Sequence, residues 1–232
     1  MKSSAKRKIQ EKWKTEALTL LNLKKYSEAI EYFDRILKLE PANADALFNK
    51  GRASHNLDKL NDALECYNKV LQSNPGHTKA WRWKAFALRG IERYDEAAQC
   101  FQKEIELEPG SDYTWFIWYN RGQMLHIQDR FDEAVKCYDA ALQLYQEHAD
   151  TWYCKALALY SLGKYDETLK CCEAALDIEP DYFYAWYGKG LALQRLNKYE
   201  EAIRCYDRVI ENDSLHIDAW LNRQDARLCF TK

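Results

Sequence analysis

No apolar run in the 232 residues is long enough to cross a bilayer, so no spanning helix is expected and no membrane partner is called for. The N-terminus, MKSSAKRKIQEKWK, is charged from its start and lacks the apolar stretch of a secretory signal. Its Lys6-Arg7-Lys8 cluster reads as a solvated, frayed helix start, because positive charge opposes the dipole at a helix N-terminus. Neither sign of charge dominates. The net charge is -2, which leaves out the broad basic footprint of a nucleic-acid binder. The chain also lacks a Gly-rich phosphate loop, an HExxH, a GxSxG and any CxxC pair. It is therefore read as a non-enzyme with no cofactor and no metal site.

Eight cysteines are present, but five of them (Cys66, Cys100, Cys137, Cys171 and Cys205) recur in one slot of a repeating pattern. Equivalent atoms in stacked helical units lie roughly 10 Å apart, beyond the ~7 Å that a disulfide can span. They read as small packing residues in a reducing, cytoplasmic setting.

The pattern itself is carried by tryptophan. Trp13, Trp81, Trp118, Trp152, Trp186 and Trp220 share one register, mostly 34 residues apart, with Leu47 in the remaining slot. All four prolines (Pro41, Pro75, Pro109, Pro180) fall at one phase, with Gln146 and Ser214 there in the two copies without proline. Proline cannot continue a helix, so each marks the step to the next unit. Between these marks lie two amphipathic stretches. In the third copy Trp81, Ala85 and Leu88 share a helix face, Gly90 permits a turn, and Ala97, Phe101 and Ile105 share a second face. A small slot follows each tryptophan: Ala17, Gly51, Ala85, Gly122, Ala156, Gly190. The second stretch carries Ala29/Phe33, Ala63/Tyr67, Ala97/Phe101, Ala134/Tyr138, Thr168/Cys172 and Ala202/Tyr206.

Tryptophan, small residue, leucine, then Ala-x-x-x-aromatic and proline, at a 34-residue period, resembles the tetratricopeptide repeat. The resemblance implies an all-α fold, a right-handed superhelical solenoid of antiparallel helix pairs whose concave face is lined by the first helix of each pair. The expected divisions are a frayed N-terminus at 1–9, six repeats (10–43, 44–77, 78–114, 115–148, 149–182, 183–215) and a capping helix at 216–232. The cap is expected to have a polar outer face, since Gln224 and Arg227 replace the small and leucine residues. The step from Trp81 to Trp118 is 37 residues. Ser111 or Asp112 there suits a helix cap, which predicts an extra turn on the fourth copy's first helix.

On a helical wheel, positions two before and one, two and five after the tryptophan slot point away from the core face. They carry more aromatics than a merely solvated face would. From them the candidate peptide-binding residues are Lys14, Asn49, Arg52, Lys79, Arg82, Trp83, Phe86, Tyr119, Asn120, Tyr153 and Tyr187. Asparagine has donors and an acceptor suited to an extended backbone, and arginine grips carboxylates in a bidentate manner. The expected function is a non-catalytic protein-interaction adaptor holding a peptide or partner segment that is partly acidic and partly apolar. The alternatives are a self-associating scaffold and a co-chaperone that binds acidic C-terminal tails. For the last, the resemblance supplies a two-carboxylate clamp. Lys14, Asn49 and Lys79 match it, whereas Leu18 and Trp83 depart from it. His55 and His126 lie too far apart to share a metal, and His77, His148 and His216 read as loop residues.

Overall fold

The computed structural model describes the backbone of residues 2–230 and the side chains of residues 7–230. The described residues form thirteen α-helices and no strand. First helices are α1 (Lys2–Asn22), α3 (Ala44–Asn56), α5 (Thr78–Gly90), α7 (Thr114–Ile127), α9 (Ala149–Ser161), α11 (Phe183–Arg195) and α13 (Ile217–Phe230). Second helices are α2 (Tyr26–Leu39), α4 (Leu60–Ser73), α6 (Tyr94–Leu107), α8 (Phe131–Leu144), α10 (Tyr165–Ile178) and α12 (Tyr199–Asn212). They fall into two compact units, Met1–Ser111 and Asp112–Lys232. The stretch expected to fray is helical from Lys2 onward. Met1, residues 231–232 of the cap and the Lys6 side chain lie outside the described residues.

Within a pair, the helices close on a residue couple that alternates along the chain. Gly51, Gly122 and Gly190 face Tyr67, Tyr138 and Tyr206, and a Cβ on any of the three glycines would stand 2.6 Å from the tyrosine Cε1. Those rings are fully buried, so they have little room to retreat. Where the small residue is Ala17, Ala85 or Ala156, the partner slot holds Phe33, Phe101 or Cys172, and none carries a phenol hydroxyl. The five cysteines of the recurring slot are buried free thiols. Burial pushes the Cys100 and Cys137 thiols up to about 11, as packing residues require.

Each first helix is tied to the loop before it by its tryptophan. The indole Nε1–H of Trp81, Trp152, Trp186 and Trp220 donates to the carbonyl six residues earlier, on Pro75, Gln146, Pro180 and Ser214, at 2.8–3.1 Å. These are the residues of the proline slot. The rings are therefore locks and not buried core, with Trp81, Trp152 and Trp186 half-buried and Trp220 exposed. A cation three residues on, such as Lys155 or Lys189, lies over the indole at 5.4 or 5.8 Å. The same cations pair with Asp139 and Glu173 of the preceding second helix at 2.6 and 2.8 Å.

The turn inside each pair is a left-handed residue after the first helix: Lys24, Asp58, Glu92, Asp129, Gly163 and Asn197. Around Asp58, the Lys59 N–H bonds to Ser54 O and the Asp58 N–H to His55 O, the double closure that ends helices at such a residue. Gly90 does not make the turn in the third copy. It closes α5, and a Cβ there would strike Leu60 Cδ1 at 2.5 Å, so the glycine serves close approach. The expected extra turn of α7 is also corrected. The helix has 14 residues against 13 in α5, and most of the insertion lengthens the preceding connection. Tyr113 takes the cap position without a side-chain bond, so neither Ser111 nor Asp112 starts the helix there. Trp118 accordingly makes no lock to a carbonyl among the described residues. The outer face of α13 is less polar than expected, because Ile217, Leu221 and Leu228 are exposed beside Gln224.

Two stability measurements follow. Gly122→Ala should destabilise the protein by about 1–2 kcal/mol, overpacking outweighing helix propensity, and Tyr138→Phe should recover part of the loss in the double variant. A chemical denaturation in which Gly122→Ala is stabilising would refute the close-contact account. Glu92→Gly should raise stability by about 0.5–1 kcal/mol by relieving a left-handed residue. A lower melting midpoint would count against that turn.

Candidate functional site

Within each unit successive first helices touch one another directly: α1 with α3 and α3 with α5 in one, α7 with α9, α9 with α11 and α11 with α13 in the other. Successive second helices come less close. The first helices thus form the inner wall of each unit, and the wheel positions predicted to face away from the core lie on it.

In the N-terminal unit, Lys14 is spent on Asp45, with Nζ 2.6 Å from the carboxylate. It borders a cleft of about 320 Å³ whose lining includes Gln10, Phe33, Asn43 and Asn49. Asn49 already makes two bonds within its own helix and keeps one Nδ2 N–H. Its Nδ2 donates to Asp45 O at 2.9 Å, and its Oδ1 accepts from Arg52 Nη1 at 3.2 Å. Arg52 lies 5.4 Å from the Trp83 ring centre and 6.0 Å from that of Phe48. Trp83 meets His55 edge-on at 5.3 Å and Phe86 edge-on at 6.2 Å. It is half-buried, and its Nε1–H has no hydrogen-bond partner among the described residues, unlike the four locking indoles. Phe86 leans on Phe101 at 5.5 Å, with Arg89 over its ring at 5.3 Å. Burial, then Arg89, lowers the His55 pKa below the ordinary histidine value. Lys79 is exposed. Arg82 is engaged within the protein, its Nε 2.6 Å from Oε1 of the fully buried Glu104. Burial raises the Glu104 pKa, and Arg82 opposes that only in part.

In the C-terminal unit, Asn120 is buried and donates from Nδ2 to Phe116 O at 2.7 Å, so it too serves its own helix in this structure. Tyr119 and Tyr187 belong to a motif that recurs in alternate repeats. In it, a first-helix aromatic packs against a second-helix tyrosine and the histidine before the next first helix. Phe48 meets Tyr67 and His77, Tyr119 meets Tyr138 and His148, and Tyr187 meets Tyr206 and His216, with ring centres 4.9–6.3 Å apart. Tyr187 Oη also accepts from Asn222 Nδ2 at 3.0 Å. Tyr153 contacts Tyr182 and Tyr184 at 5.7 and 5.8 Å, and burial raises its pKa. Tyr184 is exposed.

The inner wall therefore brings Arg52, Trp83 and Phe86 together and uses Lys14, Asn49, Arg82 and Asn120 internally. Sequence reasoning missed the histidines. His77 and His216 are helix caps whose Nδ1 accepts from Ala80 N and Ala219 N at 3.1 and 3.2 Å. The signal was their slot, where Asn43 caps α3 by accepting from Ala46 N at 2.9 Å. It also missed Tyr182, which donates to Asp150 and walls Tyr153. The run Tyr182-Phe183-Tyr184 was its visible trace.

Comparison with known proteins agrees with this architecture. The tetratricopeptide repeat profile matches residues 115–148, 149–182 and 183–214. The profile of anaphase-promoting complex, cyclosome, subunit 3 matches residues 22–104. No curated protein sequence matches the chain closely enough to count as a relative. Among solved structures, YrrB, described as a TPR protein with an unusual peptide-binding site, superposes with a TM-score of 0.73 at 20% identity, over 83% of this chain and 97% of its own. MamA from Desulfovibrio magneticus RS-1 gives 0.69 at 17%, over 75% and 97%. The first TPR of Spaghetti (RPAP3), bound to an HSP90 peptide, gives 0.52 at 22%, over 53% and 97%. At these identities the likeness is one of fold. With the repeated helix pairs, the locking tryptophans and the matched repeats in agreement, the chain belongs to the tetratricopeptide repeat family.

Proposed function

We propose that this protein is a non-catalytic, cytoplasmic adaptor that binds an extended peptide or partner segment on the inner wall of its first helices. The observation that carries this reading is Trp83. It is a half-buried indole with an unpartnered N–H, on a helix whose lock is already made by Trp81. Leaving such a ring partly in water forgoes ~25 cal/mol per Å² of apolar area, and tryptophan beside arginine is a common make-up of binding hot spots. The two units offer different chemistry. The N-terminal unit presents Arg52 and Lys79 beside Trp83 and Phe86, which suits a ligand partly acidic and partly apolar, and the C-terminal unit presents Phe116, Tyr153 and Tyr184, which suit an apolar one. The peptide sites named for YrrB and for the RPAP3 repeat domain lend support by analogy of fold. The acidic-tail clamp is the weaker version, since Asp45 occupies Lys14 and an indole stands where the clamp needs a cation.

A second reading has its own observation. Exposed Ile217, Leu221 and Leu228 share one face of α13, which a self-associating scaffold would cover with another copy of the chain.

A displayed library of 12-residue peptides should enrich a consensus on the wild type and none on Trp83→Ala. The Trp83→Ala melting temperature should fall clearly less than that of Trp152→Ala, which removes a lock and should cost about 2–4 kcal/mol. Equal losses of stability would place Trp83 in the framework and remove the groove reading. Sedimentation across a hundredfold concentration range should give a monomer. A concentration-dependent dimer abolished by Leu221→Asp would favour the scaffold.

A further inference from the structure

We propose that Arg52 is an anion anchor, the residue that pairs with the side-chain carboxylate of an Asp or Glu in the bound segment. This rests on the inner wall being a peptide surface and adds to it which chemical group is read, and where.

Arg52 differs from Lys14 and Arg82, and from Lys79, which is exposed. Lys14 has Asp45 and Arg82 has Glu104, each within hydrogen-bond distance. Arg52 has no carboxylate partner among the described residues, although its side chain is half-buried and its Nε is fully covered with no hydrogen-bond partner. A guanidinium taken out of water without a counter-charge is costly unless something else compensates it. Here the compensation is partial. The cation lies near the Trp83 and Phe48 rings, and Nη1 is held by the Asn49 carbonyl oxygen. Asn49 is itself fixed, because its amide donates to Asp45 O. The fork is thus pre-set by a fixed residue of the same helix. Of the five guanidinium N–H groups, Nε is covered and one on Nη1 is used. The pair on Nη2 and the second on Nη1 stay available. One cation with a free planar edge matches one carboxylate, and Trp83 beside it would cover the aliphatic stem of the same acidic residue. Asn49 is accordingly a positioning residue and Arg52 the contact.

The test uses the full chain and the consensus peptide selected on the wild type. The selection should contain one position held by Asp or Glu. Replacing that residue by Gln or Asn in a synthetic peptide should raise the wild-type Kd about tenfold. With Arg52→Gln the same replacement should change Kd less than about twofold. Amidating the peptide C-terminus should change neither. Asn49→Asp gives Arg52 an internal carboxylate and should abolish the acidic preference while leaving Trp83-dependent binding, which keeps the test decisive if Arg52→Gln folds poorly. A consensus without an acidic position, or an acidic preference that survives both variants, overturns the anchor while leaving the groove intact. Loss of affinity on amidation would assign the anion to a chain terminus and equally overturn it. Failure of the wild type to enrich any peptide removes the groove reading and the anchor together.

Discussion

An indole N–H that reaches back six residues to a loop carbonyl fixes where each locked first helix begins. Because the carbonyl belongs to the proline slot, the helix stop of one repeat and the helix start of the next become one hydrogen-bonded unit. The cation over the indole then pairs with the preceding second helix, so a single side chain bridges two repeats. Such half-exposed contacts are individually modest. Repetition makes them sufficient, since in a stacked array each repeat is stabilised only by its neighbours. The step before Trp118 shows the dependence. Three extra residues move the carbonyl out of register, the lock is missing among the described residues, and the boundary between the two compact units falls in that connection.

The second constraint is the distance between paired helices. Glycine opposite tyrosine and alanine opposite phenylalanine (Cys172 in the fifth copy) are solutions to one volume requirement, and they alternate along the chain. The tyrosine version brings a phenol toward the inner wall, where Tyr206 Oη donates to Gln194 at 2.8 Å. It also provides the ring against which Phe48, Tyr119 and Tyr187 pack. Aromatic character on the first-helix face is therefore of two kinds. Some rings pack against a second-helix tyrosine, whereas Trp83 meets His55, Arg52 and Phe86 of the first helices.

Much of this was legible in the sequence. The 34-residue register, the proline phase and the small slots gave the helix pairs, because each reflects a local rule that needs no distant partner. The eleven candidate residues were chosen by wheel position, which tells the direction of a side chain but not what meets it there. The internal bonds of Asn49, Arg82 and Asn120 could not be foreseen for that reason. Their partners Arg52, Glu104 and the Phe116 carbonyl are set by rotamer and packing, which periodicity does not encode. Gly90 was misread because glycine signals both turns and close approach, and only the backbone angles separate them. The histidine caps were hidden because histidine is an uncommon cap, though the slot was already marked by Asn43.

The central claim is that some tryptophans hold the array together and one is kept for a partner. Indole hydrogen exchange, followed by NMR on tryptophan-labelled protein, compares them in one experiment. Trp81, Trp152 and Trp186 should exchange slowly and keep their shifts when the selected peptide is added. Trp83 should exchange fast and show the largest shift. A Trp83 indole as protected as the other three and indifferent to peptide would contradict the account.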